Sequence, residues 1–174
     1  VITGFRYGPG PALSFPLASR QDEEGHYFVE PDLSCFGKAI ANGMPLACVA
    51  GPQTLMREYE QHVFFSSTAS AECLSLAACK ATLEVMVNKP VQGHLWQIGQ
   101  QLINGWKRLT DLPIVGLPPR TQFRFPSDES RDHFLTSMIQ RGHLLGRDNF
   151  LTFSHTVRDV ESLLEVAAEV LHEL

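Results

Sequence analysis

The chain has 174 residues, of which 44% are hydrophobic and 19% charged, and a net charge of -5. That length buries a core as one domain or two small ones, and the acidic balance leaves no basic footprint for nucleic acid. No uninterrupted apolar run approaches the roughly 20 residues of a membrane span, so a soluble protein is expected.

The first residues, Val1-Ile2-Thr3-Gly4-Phe5-Arg6, begin as a buried strand would. Residues 7–25 are rich in Gly, Pro and Ser and then acidic, which suits an irregular active-site loop. Gly8 and Gly10 do not make a dinucleotide fingerprint, because the third glycine is missing and Pro9 and Pro11 stand where a helix should begin. Ala47–Ala50 reads as a strand ended by Gly51 and Pro52, residues 53–60 as a short helix, and 62–65 as a strand or extended segment. Residues 69–87 are apolar nearly all round, which predicts a helix buried on every side.

From Val91 onward the pattern turns amphipathic. Leu95, Ile98, Leu102, Ile103, Trp106 and Leu109 recur at helical spacing. Residues 114–117 and 122–125 are strand candidates around Pro118 and Pro119. Ser127 is placed to cap a helix through Phe134, Leu135, Met138 and Ile139 that Gly142 stops. Residues 150–153 read as a further strand. Thr156 with Asp159 three residues on forms an acidic capping box before a last helix, which presents Val160, Leu163, Leu164, Ala167, Val170 and Leu171 to a core. The cysteines (Cys35, Cys48, Cys73, Cys79) lack C-x-x-C spacing and are expected as reduced, buried thiols of a cytoplasmic protein. The histidines show no ligand spacing, so no metal site is expected.

Two runs carry chemistry. In Pro31-Asp32-Leu33-Ser34-Cys35-Phe36-Gly37-Lys38-Ala39-Ile40-Ala41-Asn42-Gly43-Met44-Pro45-Leu46, one lysine stands on a glycine turn between apolar segments. Desolvation in such a setting favours the free amine, which a Schiff-base nucleophile needs, and Cys35, Phe36 and Ile40 are expected to keep Lys38 dry. A phosphate loop is excluded, since Asp32 and Ala39 occupy the places of its first glycine and its Ser or Thr. The second run is Phe64-Phe65-Ser66-Ser67-Thr68-Ala69-Ser70-Ala71-Glu72-Cys73-Leu74-Ser75-Leu76-Ala77-Ala78. Its hydroxyl residues ahead of a helix suit either simple capping or a phosphate seat beside free backbone N–H groups.

The first run resembles the cofactor-lysine segment of class III pyridoxal-phosphate aminotransferases, P-D-L-x-x-x-G-K-x-I-x-x-G-x-P, and most of all their glutamate-1-semialdehyde 2,1-aminomutase branch. The second is similar to that family's F-F-S-T-T-x-G-G-E-x-L-S-L-A-A turn, with Ser70 and Ala71 in place of its two glycines. The resemblance implies the C-terminal part of a fold type I α/β large domain (residues 1–88), followed by a small α+β domain (89–174). It implies Lys38 as the Schiff-base lysine and proton carrier, and Thr68 with Ser67 as phosphate contacts. In the family the threonine matching Thr68 reaches the neighbouring subunit's cofactor, so a homodimer is implied as well. The start of the chain resembles D-E-V-x-T-G-F-R, whose aspartate contacts the pyridine nitrogen and would precede Val1. The chain therefore reads as a C-terminal portion, expected to turn over little by itself.

Ser154-His155-Thr156 with Asp159 partly matches the family's closing S-x-x-H-T-x-x-D, where His155 is either a base or a structural histidine. Where the aminomutase branch carries F-E-A-x-F, this chain has Gly146-Arg147-Asp148-Asn149-Phe150. Arg147 replaces a glutamate, and its fork suits an acidic substrate group as well as it suits solvent. The same two roles are open to Arg6 and Arg20. The expected activity is amino transfer from an amino donor to a carbonyl acceptor. Two alternatives stand beside it: the intramolecular transfer of the aminomutase, and a non-catalytic remnant acting in dimerisation.

Overall fold

The computed structural model describes residues 20–21, 27–28, 32–66, 68, 70 and 72–173. The strand expected at Val1–Arg6, most of the loop expected over 7–25, and Ser67 lie outside the described residues. The chain divides after Gln92 into two compact units.

In the first unit, two short antiparallel pairs come before the helices. Strand β1 (Arg20–Gln21) pairs with β2 (Tyr27–Phe28), and β3 (Ser34–Phe36) with β4 (Cys48–Ala50) in the register Ser34↔Ala50, Cys35↔Val49, Phe36↔Cys48. A 3-10 turn, Lys38–Ile40, opens the connection between β3 and β4, and buried Ile40 and Ala41 anchor it. Helix α1 (Gln53–His62) buries no residue. Helix α2 spans Cys73–Asn88 and packs on the Lys38–Ile40 turn. Residues 63–66 are not a strand.

Helix α2 corrects one expectation. Among its residues only Ser75 is buried, while Leu74, Leu76, Val85 and Val87 are exposed. An apolar helix needs a layer on each side, and among the described residues of this unit its main partner is the Lys38–Ile40 turn. The thiols are corrected for the same reason. Cys35, Cys48 and Cys73 are exposed and Cys79 is half-buried; all four are free.

The second unit is better filled. Helix α3 (Val91–Leu109) leads into β5 (Ile114–Leu117), β6 (Arg120–Phe123), α4 (Asp128–Gln140), β7 (Asn149–Phe150) and α5 (Val157–His172). The three strands form one antiparallel sheet in the order β5-β6-β7, with Ile114↔Phe123 and Thr121↔Asn149 among the partners. The core gathers Leu95, Ile98, Leu102 and Trp106 from α3 with Phe123, Phe134, Met138, Val160, Ala167 and Val170. Gly99 lets α3 close onto the β5–β6 turn, since a Cβ there would stand 2.0 Å from the Pro118 carbonyl oxygen.

Helix ends follow local chemistry. The Ser127 hydroxyl accepts from the Ser130 N–H and starts α4. Gly142, at φ +88°, ends it: its N–H bonds the Ile139 carbonyl and the His143 N–H bonds that of Met138, the paired pattern of a Schellman stop. Strand β6 begins two residues before its expected start, because the two-residue turn at Pro118-Pro119 fixes the register from Arg120. Strand β7 stops at Phe150 because the Thr152 N–H is turned to His155 Nδ1 at 3.1 Å and leaves the ladder.

Helix α5 opens on the expected capping box. The Thr156 N–H donates to Asp159 Oδ2 at 2.6 Å, the Thr156 hydroxyl to the same oxygen at 2.8 Å, and the Asp159 N–H returns to that hydroxyl. These bonds, first the backbone N–H and then the hydroxyl, hold the Asp159 carboxyl below the usual carboxylate range. A depressed folded pKa means that this stabilisation is complete above the unfolded value of about 3.9 and is lost as pH falls through the folded value. Asp159→Asn is therefore expected to lower the urea midpoint at pH 7 and to narrow the gap to wild type at pH 2. An unchanged gap at pH 2 would count against the assignment.

Candidate functional site

Lys38 stands at the mouth of the β3–β4 connection with φ +49°, in the left-handed region that a side chain seldom occupies without cause. Two backbone bonds close the turn around it, Ile40 N–H to Gly37 C=O and Ala41 N–H to Lys38 C=O, each at 3.3 Å. Asn42 and Gly43, at φ +44° and +110°, reverse the chain again before β4. Among the described residues the apolar enclosure expected around the amine is incomplete: Ile40 is buried and Phe36 half-buried, but Lys38 is exposed, and so is Cys35. Lys38 makes no ion pair among the described residues, so its amine is available. Across the ribbon, partial shielding raises the Cys48 thiol pKa, and the Cys79 and Cys35 thiols add to the rise.

Thr68 is exposed in the stretch ahead of α2, the helix that packs on the lysine turn. Free backbone donors were expected at the start of this helix, and two of them are already taken. The Glu72 carboxylate accepts from the Leu74 N–H at 2.6 Å, the Ser75 N–H at 2.8 Å and the Ser75 hydroxyl at 2.7 Å. These bonds, the Ser75 hydroxyl first, depress the Glu72 pKa. Sequence reasoning passed over Glu72 as a cap, although a carboxylate two and three residues before N–H groups of a helix's first turn is a signal for one.

In the second unit Arg147 is exposed and pairs with no carboxylate among the described residues. Its neighbour Asp148 is the engaged group, accepting from Arg120 Nη2 at 2.8 Å and from the Gln122 side-chain amide. Arg120 first and then Gln122 hold that carboxyl below its ordinary range. A cavity of about 490 Å³ lies against this loop, lined by His143, Asp148, Asn149 and His155 among others, and Arg147 is not in its wall. His155 is held at two points: Nδ1 accepts from the Thr152 N–H, and its carbonyl accepts from His94 Nε2 at 2.7 Å. The structure thus brings Lys38 and the Thr68 segment into one unit, and leaves Arg147 and His155 in the other.

An exposed primary amine, and an exposed hydroxyl in the stretch ahead of the helix that packs on its turn, are group types that an aldehyde bearing a phosphate would use, the amine at the carbonyl carbon and the hydroxyl at the dianion. Among the described residues no group of three His, Cys, Asp or Glu could hold a metal ion, and no helix is long and apolar enough to cross a membrane.

Comparison with known proteins converges on the same chemistry. The family described as aminotransferase class-III matches residues 24–116, just over half of the chain. The glutamate-1-semialdehyde 2,1-aminomutase of Desulfitobacterium hafniense (strain DSM 10664 / DCB-2) is 27% identical across 100% of this chain and 44% of its own length. That of Halorubrum lacusprofundi is 31% identical over 76% of this chain and 29% of its own. The chain spans less than half the length of the curated relatives it matches. Among solved structures, the Sphingopyxis sp. MTA144 FumI protein with PLP superposes with a TM-score of 0.75 at 25% identity, over 83% of this chain and 37% of that one. A glutamate-1-semialdehyde-aminomutase from Pseudomonas aeruginosa PAO1 gives a TM-score of 0.67 at 22% identity, over 83% and 40%. The expected fold type I α/β architecture is thereby established.

Proposed function

Because this chain belongs to the class III aminotransferases, we propose that it contributes the lysine half of a pyridoxal-phosphate site moving an amino group from an amino donor to a carbonyl acceptor. The observation that carries the reading is Lys38 itself: an exposed, unpaired amine on a strained turn that buried Ile40 and Ala41 hold in place. When bound, the cofactor supplies the electron sink for chemistry at the substrate carbon.

The chain's own residues have three tasks. Lys38 would hold the cofactor through Nζ, and as a free amine that same nitrogen would carry a proton to and from the substrate carbon. The Thr68 hydroxyl, with Ser67 beside it, donates to the phosphate, in a homodimer to the phosphate held by a second copy. Arg147, in the second unit, carries a two-pronged fork suited to an acidic group.

The names of the curated relatives favour a second reading, in which the amino group is returned within one molecule as in the aminomutase. Isotopic labelling separates the two: 15N from the donor appears on an added carbonyl acceptor in a transferase and stays in the product skeleton in a mutase. The lysine assignment is tested by exposing the full chain to pyridoxal phosphate and borohydride. A pyridoxyl mass on the Lys38 peptide is expected, and an unlabelled Lys38 would remove the proposal's foundation.

A further inference from the structure

We propose that residues 144–147 are a strap that folds over the cavity beside it, with Leu144 as the lid, and that the closed strap encloses a small apolar molecule bearing a hydrogen-bond acceptor. Cavity and strap lie wholly within the second unit. The inference therefore goes beyond the amino-transfer reading and does not depend on it.

The strap is fixed at both feet and free between them. On one side the His143 N–H donates to the Met138 carbonyl at 2.9 Å, in the stop that ends α4. On the other, Asp148 accepts from Arg120 Nη2 at 2.8 Å and from the Gln122 side-chain amide, which fastens it to β6. Between these anchors residues 144–147 belong to no helix or strand, and among the described residues no backbone hydrogen bond ties them. Backbone without such bonds moves at little free-energy cost. Gly146 adds to that freedom, and crowding is not what selects it: a Cβ there would meet only the Asp148 carbonyl oxygen, at 3.6 Å.

Leu144 is 86% exposed although it borders a cavity whose floor is buried and apolar, formed by Leu102, Leu151 and Val160. Turning inward about the untied backbone takes this leucine out of water. At about 490 Å³ the cavity falls within the range of small-molecule pockets, roughly 300–1,000 Å³. One leucine does not fill that space, so the closing strap gains its contacts through a guest. His155, in the same wall, indicates the guest's polar group. Its Nδ1 accepts from the Thr152 N–H, so the neutral ring carries its proton on Nε2, and that donor has no partner among the described residues. A carbonyl oxygen on an apolar body suits both the floor and the ring.

The test titrates the full chain, 13C-labelled at leucine and valine methyls, with methyl benzoate and separately with ethylbenzene, which has a similar shape and no acceptor. Methyl shifts at Leu102 and Val160 report entry into the cavity, and amide hydrogen exchange at residues 144–147 reports closure. Methyl benzoate is expected to shift both floor methyls and to slow that exchange several fold. It should bind roughly three- to tenfold more tightly than ethylbenzene, as for one added hydrogen bond. Leu144→Ala is expected to weaken it by roughly three- to tenfold, and Leu144→Asp by more, since a charge resists closing over an apolar guest. Leu144 is exposed, so both variants should keep the wild-type circular dichroism.

Floor methyls that stay unmoved up to the solubility limit of methyl benzoate overturn the site. Shifted floor methyls with unchanged exchange at residues 144–147 overturn the strap, and so does unaltered binding in both Leu144 variants. Equal affinity for the two probes overturns the assignment of an acceptor to the guest.

Discussion

Lys38→Ala in the full-length protein is expected to abolish covalent capture of pyridoxal phosphate and to reduce amino-transfer turnover by roughly 10²- to 10⁴-fold, the range of a lost acid–base group, or further. The argument is local. The only nucleophilic nitrogen on the β3–β4 connection is the Lys38 amine, and a proton carrier must be able to give its proton up. Lys38→Arg makes the sharper test, because a guanidinium retains charge and reach but does not deprotonate in proteins. If positive charge alone mattered, the arginine variant would keep much of the activity; as nucleophile and base are needed, it should be as inactive as the alanine variant. Added small primary amines should restore part of the Lys38→Ala turnover and none of the Lys38→Arg turnover, where the side chain still fills the space. Single-turnover kinetics with a donor accepted by the wild type would measure both. Coupled activity retained in Lys38→Ala would end the assignment.

The second unit was more legible in the sequence than the first, and the reason is physical. Its helices are amphipathic, so the 3.6-residue recurrence of Leu95, Ile98, Leu102 and Trp106 named a buried face directly. The stops were equally readable, because Ser127, Gly142 and the Thr156–Asp159 box act through bonds to neighbours in sequence. Helix α2 offered no periodicity to read. An all-apolar segment says that it must be covered and nothing about by what, and among the described residues its main partner is one short turn. Lys38 is singled out by the run of residues around it. Its left-handed φ and open surroundings depend on a two-stranded ribbon that no spacing announces. The Asp148 clamp to Arg120 and Gln122 lay hidden for a similar reason: its partners are 28 and 26 residues away in sequence and meet only through the pairing of β6 with β7.

The core of the second unit should fail most steeply at Trp106. The indole is fully buried, stacked on Phe123 at 3.8 Å between centroids and edge-on to Phe134 at 5.8 Å. Its Nε1–H donates to the Leu112 carbonyl at 2.8 Å and so ties the end of α3 to the approach of β5. Trp106→Ala removes the largest side chain of this core, leaves a cavity between helix and sheet, and deprives the Leu112 carbonyl of its partner. Large-to-small changes of this kind cost about 3–5 kcal/mol, a large share of the roughly 5–15 kcal/mol that holds a typical domain folded. Urea unfolding followed by far-ultraviolet circular dichroism is expected to show the midpoint of this unit collapse with its slope little changed. Trp106→Phe separates the contributions. It keeps a ring against Phe123 and loses the hydrogen bond and part of the volume, so it should fall between wild type and alanine. A stability for Trp106→Ala within about 0.5 kcal/mol of wild type, where surface substitutions commonly fall, would mean that Trp106 does not organise this core.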